Sequence, residues 1–231
     1  MARSVIPLFP LGSVLYPGLA LPLHIFEERY RLLVSHLDEG ETDEERSFGV
    51  VAIRAGHEVG SASVTALHEV GTTAVLRRVT RYPDGRYDIL TSGSRRFRLL
   101  AVDDTLPYLR AEVDWLPESI GDDSQVDRHA ELVRALFRRY QALLSDEGPE
   151  PDDSDPPASS SALPQDPTVL SYLVSAAMLL DLQDRQRLLA APTTVARLAR
   201  LRALLHRERT VIRLLSAIPA TDLLREPLVL N

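Results

Sequence analysis

Apolar and polar positions change period about half-way along the chain. Up to about residue 118 the apolar residues come in short runs of the kind strands use; beyond it they recur every three to four residues. Ser4–Pro10 and Leu19–His24 are apolar runs interrupted by Pro7, Pro10, Pro17 and Pro22. A proline cannot donate to a ladder, so these runs predict edge strands or strand ends, and Tyr16-Pro17-Gly18 between them predicts a turn.

One helix interrupts this pattern. Glu27–Leu37 places Tyr30, Leu33, Val34 and Leu37 at helical spacing, the charged run Glu39–Arg46 predicts a loop, and Ser47–Ile53 returns to strand composition. Thr73–Thr80, Arg86–Thr91, Phe97–Val102 and Leu109–Leu116 follow as strands, the first two joined by Arg81–Arg86, where Asp84-Gly85 predicts a tight primed turn. Ser92-Gly93-Ser94 and Asp103-Asp104 separate the others. Several short strands at this spacing predict a closed or nearly closed antiparallel barrel.

Helical periodicity takes over in Asp127–Leu144, with Leu132, Val133, Leu136, Phe137, Tyr140 and Leu144 as its stripe. Ser145–Gln165 is rich in Pro, Ser and Asp and predicts a disordered acidic loop, because it cannot bury enough apolar surface to offset its ordering entropy. Pro167–Leu180 resumes as an apolar helix. Asp181–Asp184 predicts a new helix cap, Pro192 ends that helix, and the last helix carries Leu198, Leu201, Leu205, Ile212 and Leu215. The predicted organisation is α+β: a barrel with one helix over 1–118, then a helical bundle over 119–231 containing the loop at about 145–165.

Charge changes this picture little. The net charge of −7 is spread as −4 over residues 1–118, −9 over 119–184 and +6 over 185–231. Overall acidity argues against nucleic acid, whose binding draws on a basic face. No apolar stretch reaches the roughly 20 residues that span a bilayer, and the amino terminus makes a poor signal peptide. A cytoplasmic protein without a membrane partner is the expectation, and the absence of cysteine fits a reducing compartment.

Composition also removes several chemistries. The chain has no lysine, which excludes a P-loop and a serine–lysine dyad. It has no cysteine, which excludes thiolate zinc sites and cysteine nucleophiles. No Gly-x-Ser-x-Gly elbow frames a serine. His57-Glu58-Val59-Gly60 recurs as His68-Glu69-Val70-Gly71, a set with metal-ligand chemistry, but an offset of eleven residues suits turns beside ordinary strands better than chelation. No catalytic residue, metal or cofactor is therefore assigned.

Two arginine groups stand out, Arg77, Arg78 and Arg81 with Arg95, Arg96 and Arg98, as either a solvated barrel face or an anion-binding surface. The arginines of the last helix, Arg197 to Arg213, read as a solvated face, or alternatively as a surface that docks against the acidic loop Asp146–Asp155. Tyr16, Pro17, Leu19 and Leu21 form an apolar segment that is core if buried and a docking patch if exposed. Tyr16, Leu19 and Arg96 are the candidate binding residues.

Read together, Ile6-Pro7-Leu8-Phe9-Pro10-Leu11, Leu15-Tyr16-Pro17-Gly18 and Leu21-Pro22-Leu23-His24-Ile25-Phe26-Glu27-Glu28-Arg29-Tyr30 closely resemble the opening of the Lon protease amino-terminal domain. Phe48–Val51, Asp84-Gly85-Arg86 and Gly93–Phe97 follow in the same order, and Asp184–Leu189 with the long last helix resembles the helical part of that family. The resemblance implies a PUA-like antiparallel β-barrel packed on a helical bundle. It also implies a non-catalytic module that binds a polypeptide or protein partner, a stand-alone adaptor or regulator in proteolysis without the ATPase and protease parts of Lon. The alternative is binding of RNA or a small anionic ligand through the barrel.

Overall fold

The computed structural model describes residues 3–56, 64–144 and 163–216. Among them are seven strands, β1 (Arg3–Leu11), β2 (Ala20–Ile25), β3 (Ser47–Gly56), β4 (Val64–Leu67), β5 (Val70–Arg81), β6 (Tyr87–Asp103) and β7 (Arg110–Trp115). Five helices accompany them: α1 (Glu28–Asp38), α2 (Asp123–Leu144), α3 (Pro167–Ala177), α4 (Leu182–Leu189) and α5 (Thr194–Ser216). The class is α+β. Most of the expected acidic loop, the first copy of the repeated tetrapeptide and Leu215 as a packed residue lie outside what is described.

The barrel closes through its first strand. The order β1-β7-β6-β5-β3 returns to β1, with β4 added beside β3 and β2 beside β6. All these pairings are antiparallel except the closing one: β1 pairs β7 through Arg3–Pro7 and then runs parallel to β3 through Leu8–Leu11. The sequence shows the antiparallel strands but not this parallel seam, which depends on where β1 switches partner.

The prolines of β1 and β2 sit where the ladder needs no donor. Leu8 N–H donates to Leu109 at 2.8 Å, so Ser4, Ile6 and Leu8 turn their backbone groups towards β7. Pro7 then lacks its N–H on the opposite edge, and Pro10 lacks it on the side beyond the reach of β7. Gly93 N–H donates to Leu19 at 2.7 Å, which turns Leu21 and Leu23 towards β6 and Pro22 to the free edge of β2.

Two apolar clusters fill the barrel unit. Ile6, Leu8, Val51, Phe97, Ala111 and Val113 form one. The other lies under α1, whose Tyr30, Leu33, Val34 and Leu37 are buried as their spacing predicts. The Phe9 ring stacks on Tyr30 with centroids 3.9 Å apart. Both faces of β1 are therefore covered beyond Leu8, which explains its nearly continuous apolar run.

β6 is one strand of 17 residues where two were expected. Ser92-Gly93-Ser94 does not break it, because the strand changes partner there: Tyr87–Ser92 pair with β2, and Phe97–Asp103 with β7. Its pairing with β5 shifts register at Thr72/Ala74 and again at Leu76/Arg78, and the second shift leaves both Arg77 and Arg78 exposed.

The described residues divide into two compact units, one within 1–119 and 172–193, the other within 120–171 and 194–231. α4 thus belongs with the barrel, unlike the sequence-based division at 118. Its buried positions are two leucines, Leu188 and Leu189, and two polar residues, Asp184 and Gln186, and Gln186 Nε2 donates to Val70 O at 2.7 Å. The predicted cap is present, since the Asp181 side chain accepts from Asp184 N–H at 2.7 Å.

In the second unit α2 packs against α5. Val126, Ala130, Val133, Phe137 and Tyr140 form the buried seam of α2, while Leu132 and Leu144, expected in its stripe, are exposed. The seam repeats at alternating steps of four and three residues, and Leu132 lies a helical step off that line. In α5, Leu198, Leu201 and Leu205 are buried as expected, yet so is Arg197, which donates to Ser171 Oγ at 2.9 Å rather than joining a solvated face.

Candidate functional site

The hairpin between β5 and β6 and the adjoining end of β2 carry a group of exposed aromatic and ionisable side chains. The hairpin turn is Tyr82–Gly85, closed by Gly85 N–H to Tyr82 O at 2.9 Å, with Tyr82 N–H to Arg86 O at 2.9 Å behind it. Asp84-Gly85 is thus not the central pair of a primed turn, as the sequence suggested. Pro83, with φ fixed near the value that position i+1 of an ordinary turn requires, takes that place, and Gly85 absorbs the left-handed φ of +82° as the bulge residue. A Cβ on Gly85 would also meet the Arg31 guanidinium.

This turn sets Tyr82 beside Asp88, the first acid of β6, on the solvent face between the buried Tyr87 and Ile89. His24 on β2 is the direct cross-strand partner of Asp88, and its Nδ1 lies 2.6 Å from Asp88 Oδ1. The Tyr82 hydroxyl donates to the other oxygen of the same carboxylate. These two bonds, Tyr82 first, hold the Asp88 carboxyl below the usual carboxylate range, while the neighbouring carboxylate pushes the Tyr82 phenol up. Arg86 bonds Asp84 at 2.7 Å and places its guanidinium 6.0 Å from the Tyr82 ring centroid. The His24 ring has Phe26 at 6.4 Å and Tyr82 at 6.2 Å.

The outcome is a surface with aromatic rings open to solvent, Phe26 at 51% exposure and Tyr82 at 36%. The phenol donates to the carboxylate rather than to the imidazole. Rings with polar rims suit the side chains and amides of a polypeptide.

The residues singled out from sequence lie elsewhere in the same unit. Tyr16 is 1% exposed, donates its hydroxyl to Arg185 O at 3.0 Å and has its ring 6.0 Å from that of Tyr172. Arg96 is 2% exposed; Nε binds Glu118 at 2.6 Å, and Nη1 donates to Leu189 O and Ala191 O at 2.8 and 2.7 Å. Both side chains fasten α4 to the barrel. Leu19 is half-buried against the larger apolar cluster. By the burial criterion, then, Tyr16 itself is packing, while Pro17, Leu19 and Leu21 are half-buried.

Of the other arginines, Arg77 bonds both oxygens of Asp43 at 3.0 Å, and Arg95 stacks 4.3 Å from the Trp115 ring centroid. In the second tetrapeptide, His68 is held below its ordinary pKa by burial and then by Arg54, and Gly71 lies against the Phe97 ring. No cluster among the described residues has the ligands for a metal ion, and no helix among them is long and apolar enough to cross a membrane.

The hairpin group was not singled out from sequence. The His24–Asp88 register exists only once β2 and β6 are paired, and Phe26 reads as the end of an apolar run.

Residues 5–207 match the family model of the ATP-dependent protease La (LON) substrate-binding domain. The chain belongs to that family. Lon protease 2 of Syntrophobacter fumaroxidans is 30% identical over 192 residues, covering 83% of this chain and 23% of that protein. The Lon protease of Escherichia coli is 27% identical over 210 residues, covering 89% of the chain and 25% of its own length. The chain thus spans about a quarter of these relatives, in the part that lacks the protease active site. Among solved structures, a Lon N-terminal domain protein from Xanthomonas campestris superposes with a TM-score of 0.57 at 22% identity, covering 94% of this chain and 99% of the other. The N-terminal domain of a Mycobacterium avium complex Lon protease gives 0.60 at 17% identity, covering 88% and 98%. These two similarities establish the shared fold.

Proposed function

We propose that this domain binds polypeptides without acting on them chemically, and that it serves proteolysis as an adaptor or regulator that presents bound chains. The family match over residues 5–207 carries the reading. The exposed rings of Phe26 and Tyr82, braced by His24 and Asp88, supply a surface of the right character, since aromatic anchors with polar rims dominate binding energy at protein interfaces.

The test is fluorescence anisotropy of a labelled, permanently unfolded polypeptide titrated with the domain. Saturable binding is expected, weakened about tenfold in the Phe26→Ala/Tyr82→Ala double variant, in line with the loss of two anchors. Absence of binding by the unaltered domain would refute the reading; unchanged affinity in the double variant would move the surface elsewhere.

A further inference from the structure

A second surface lies along β1, on residues distinct from those of the hairpin group. β1 pairs with β7 over Arg3–Pro7 but reaches β3 only from Leu8 onward. Because Ser4, Ile6 and Leu8 face β7, the backbone N–H and C=O of Val5 point to an edge where no strand is paired among the described residues. That edge opens into a hollow of about 280 Å³ whose walls include Val5, Pro7, Ser47, Glu44, Glu45 and Trp115. A neighbouring hollow of about 370 Å³ also has Val5 in its lining, and the Val5 side chain between them is 64% exposed.

The charge of this groove has one sign on its far wall. Glu44 makes no ion pair among the described residues. The Glu45 carboxylate accepts the N–H groups of Glu41 and Thr42 at 3.0 and 3.1 Å, which lower its pKa and keep it ionised. The acids of the second hollow are already matched, Glu112 with Arg3 at 3.1 Å and Asp103 with Arg110 at 2.6 Å.

We infer that the open edge of β1 at Val5 receives an extended, basic polypeptide segment as an added strand, with its backbone on Val5 and its cationic side chains towards Glu44 and Glu45. Main-chain bonds to an unpaired edge give affinity without sequence, and alternate side chains read the groove. An apolar residue of the segment covers Val5, and acidic segments are repelled. This assignment rests on the strand edge and groove, independently of the Phe26–Tyr82 surface.

Trp115 is the sole tryptophan of the chain and lies in this groove, so its emission reports on the site alone. The domain is titrated with a capped peptide alternating arginine and valine, with its glutamate–valine counterpart, and with the basic peptide N-methylated at alternate amides. A saturable change in Trp115 emission is expected for the basic peptide, at least tenfold weaker for the other two. Val5→Pro removes a donor that β7 does not use and is expected to weaken binding about tenfold. Glu44→Arg, at an exposed loop position, is expected to reverse the preference between the two charged peptides. Phe26→Ala/Tyr82→Ala should leave the Trp115 response unchanged, which separates this surface from the one proposed above. No emission change with any peptide would overturn the inference. So would equal binding of acidic and basic peptides, indifference to Glu44→Arg, or a change driven by protein concentration alone, which would assign the edge to a second copy of the chain.

Discussion

Arg96 reaches Glu118 at 2.6 Å through Nε while its Nη1 is shared between Leu189 O and Ala191 O. Glu118 Oε1 also accepts from the Tyr172 hydroxyl at 2.6 Å. One guanidinium thus fills the orphan acceptors after α4 and joins them to β6 and to the segment that leaves β7. Arg96→Ala is expected to cost about 3 kcal/mol, because it leaves two carbonyls without their donor and empties the volume of a buried side chain. Arg96→Lys should recover little of this, since an ammonium lacks the planar fork. Urea denaturation measures both, and stability equal to the unaltered protein would remove Arg96 as the fastening of α4.

Gly71 offers a test of the repeated tetrapeptide as packing. A Cβ there would strike the buried Phe97 ring and the carbonyl of Val50. Gly71→Ala is expected to destabilise by about 1–3 kcal/mol through overpacking, read as a lower urea midpoint at constant slope. A neutral substitution would show that the neighbouring strands can give way.

Acid should release one identifiable contact. Thr105, by side chain and backbone, and then Arg110 hold the Asp103 carboxyl down to about 2. Between that value and the ordinary carboxylate value of about 4, the folded protein binds fewer protons at this site than the unfolded chain. The stabilisation is therefore complete above about pH 4 and is lost as pH falls towards 2. Carboxyl chemical shifts from NMR should place the Asp103 midpoint near 2, and Asp103→Asn should remove its share of the acid dependence. A midpoint near 4 would contradict the geometry.

The contact between α1 and the barrel predicts a large cavity effect. Leu33 is buried within the cluster that includes Phe9, Phe48 and Tyr30. Leu33→Ala is expected to cost about 2–5 kcal/mol, measured by thermal or urea unfolding, whereas the exposed Leu32 should tolerate alanine with little change.

Legibility in the sequence tracked how local the cause was. The buried stripe of α1, the Asp181 cap and the edge character of β2 follow from residues close together in the chain, and all were visible. β6 read as two strands because serine and glycine ordinarily mark a break, and nothing nearby reveals that the strand exchanges β2 for β7 at that point. α4 read as part of the bundle because Asp184 and Gln186 look like surface residues until Val70 O and the capping aspartate are seen beside them. The apolar segment holding Tyr16 and the arginine group holding Arg96 both look like surface features in the sequence, but each of these two side chains makes its contacts inside the fold. The surface of His24, Phe26, Tyr82 and Asp88 needed the register between two strands more than sixty residues apart in the chain.

The double duty of β1 has a consequence for how the barrel is made. Arg3 lies opposite Asp114, so the first strand must wait for the last before its antiparallel seam can form. Such a long-range pairing is entropically expensive and slows folding. Until residues 110–115 have arrived, a chain growing from its amino terminus holds β1 only by the short parallel contact with β3. Removing Arg3–Pro7 would unlatch the seam with β7, and only loss of the whole strand would release both seams.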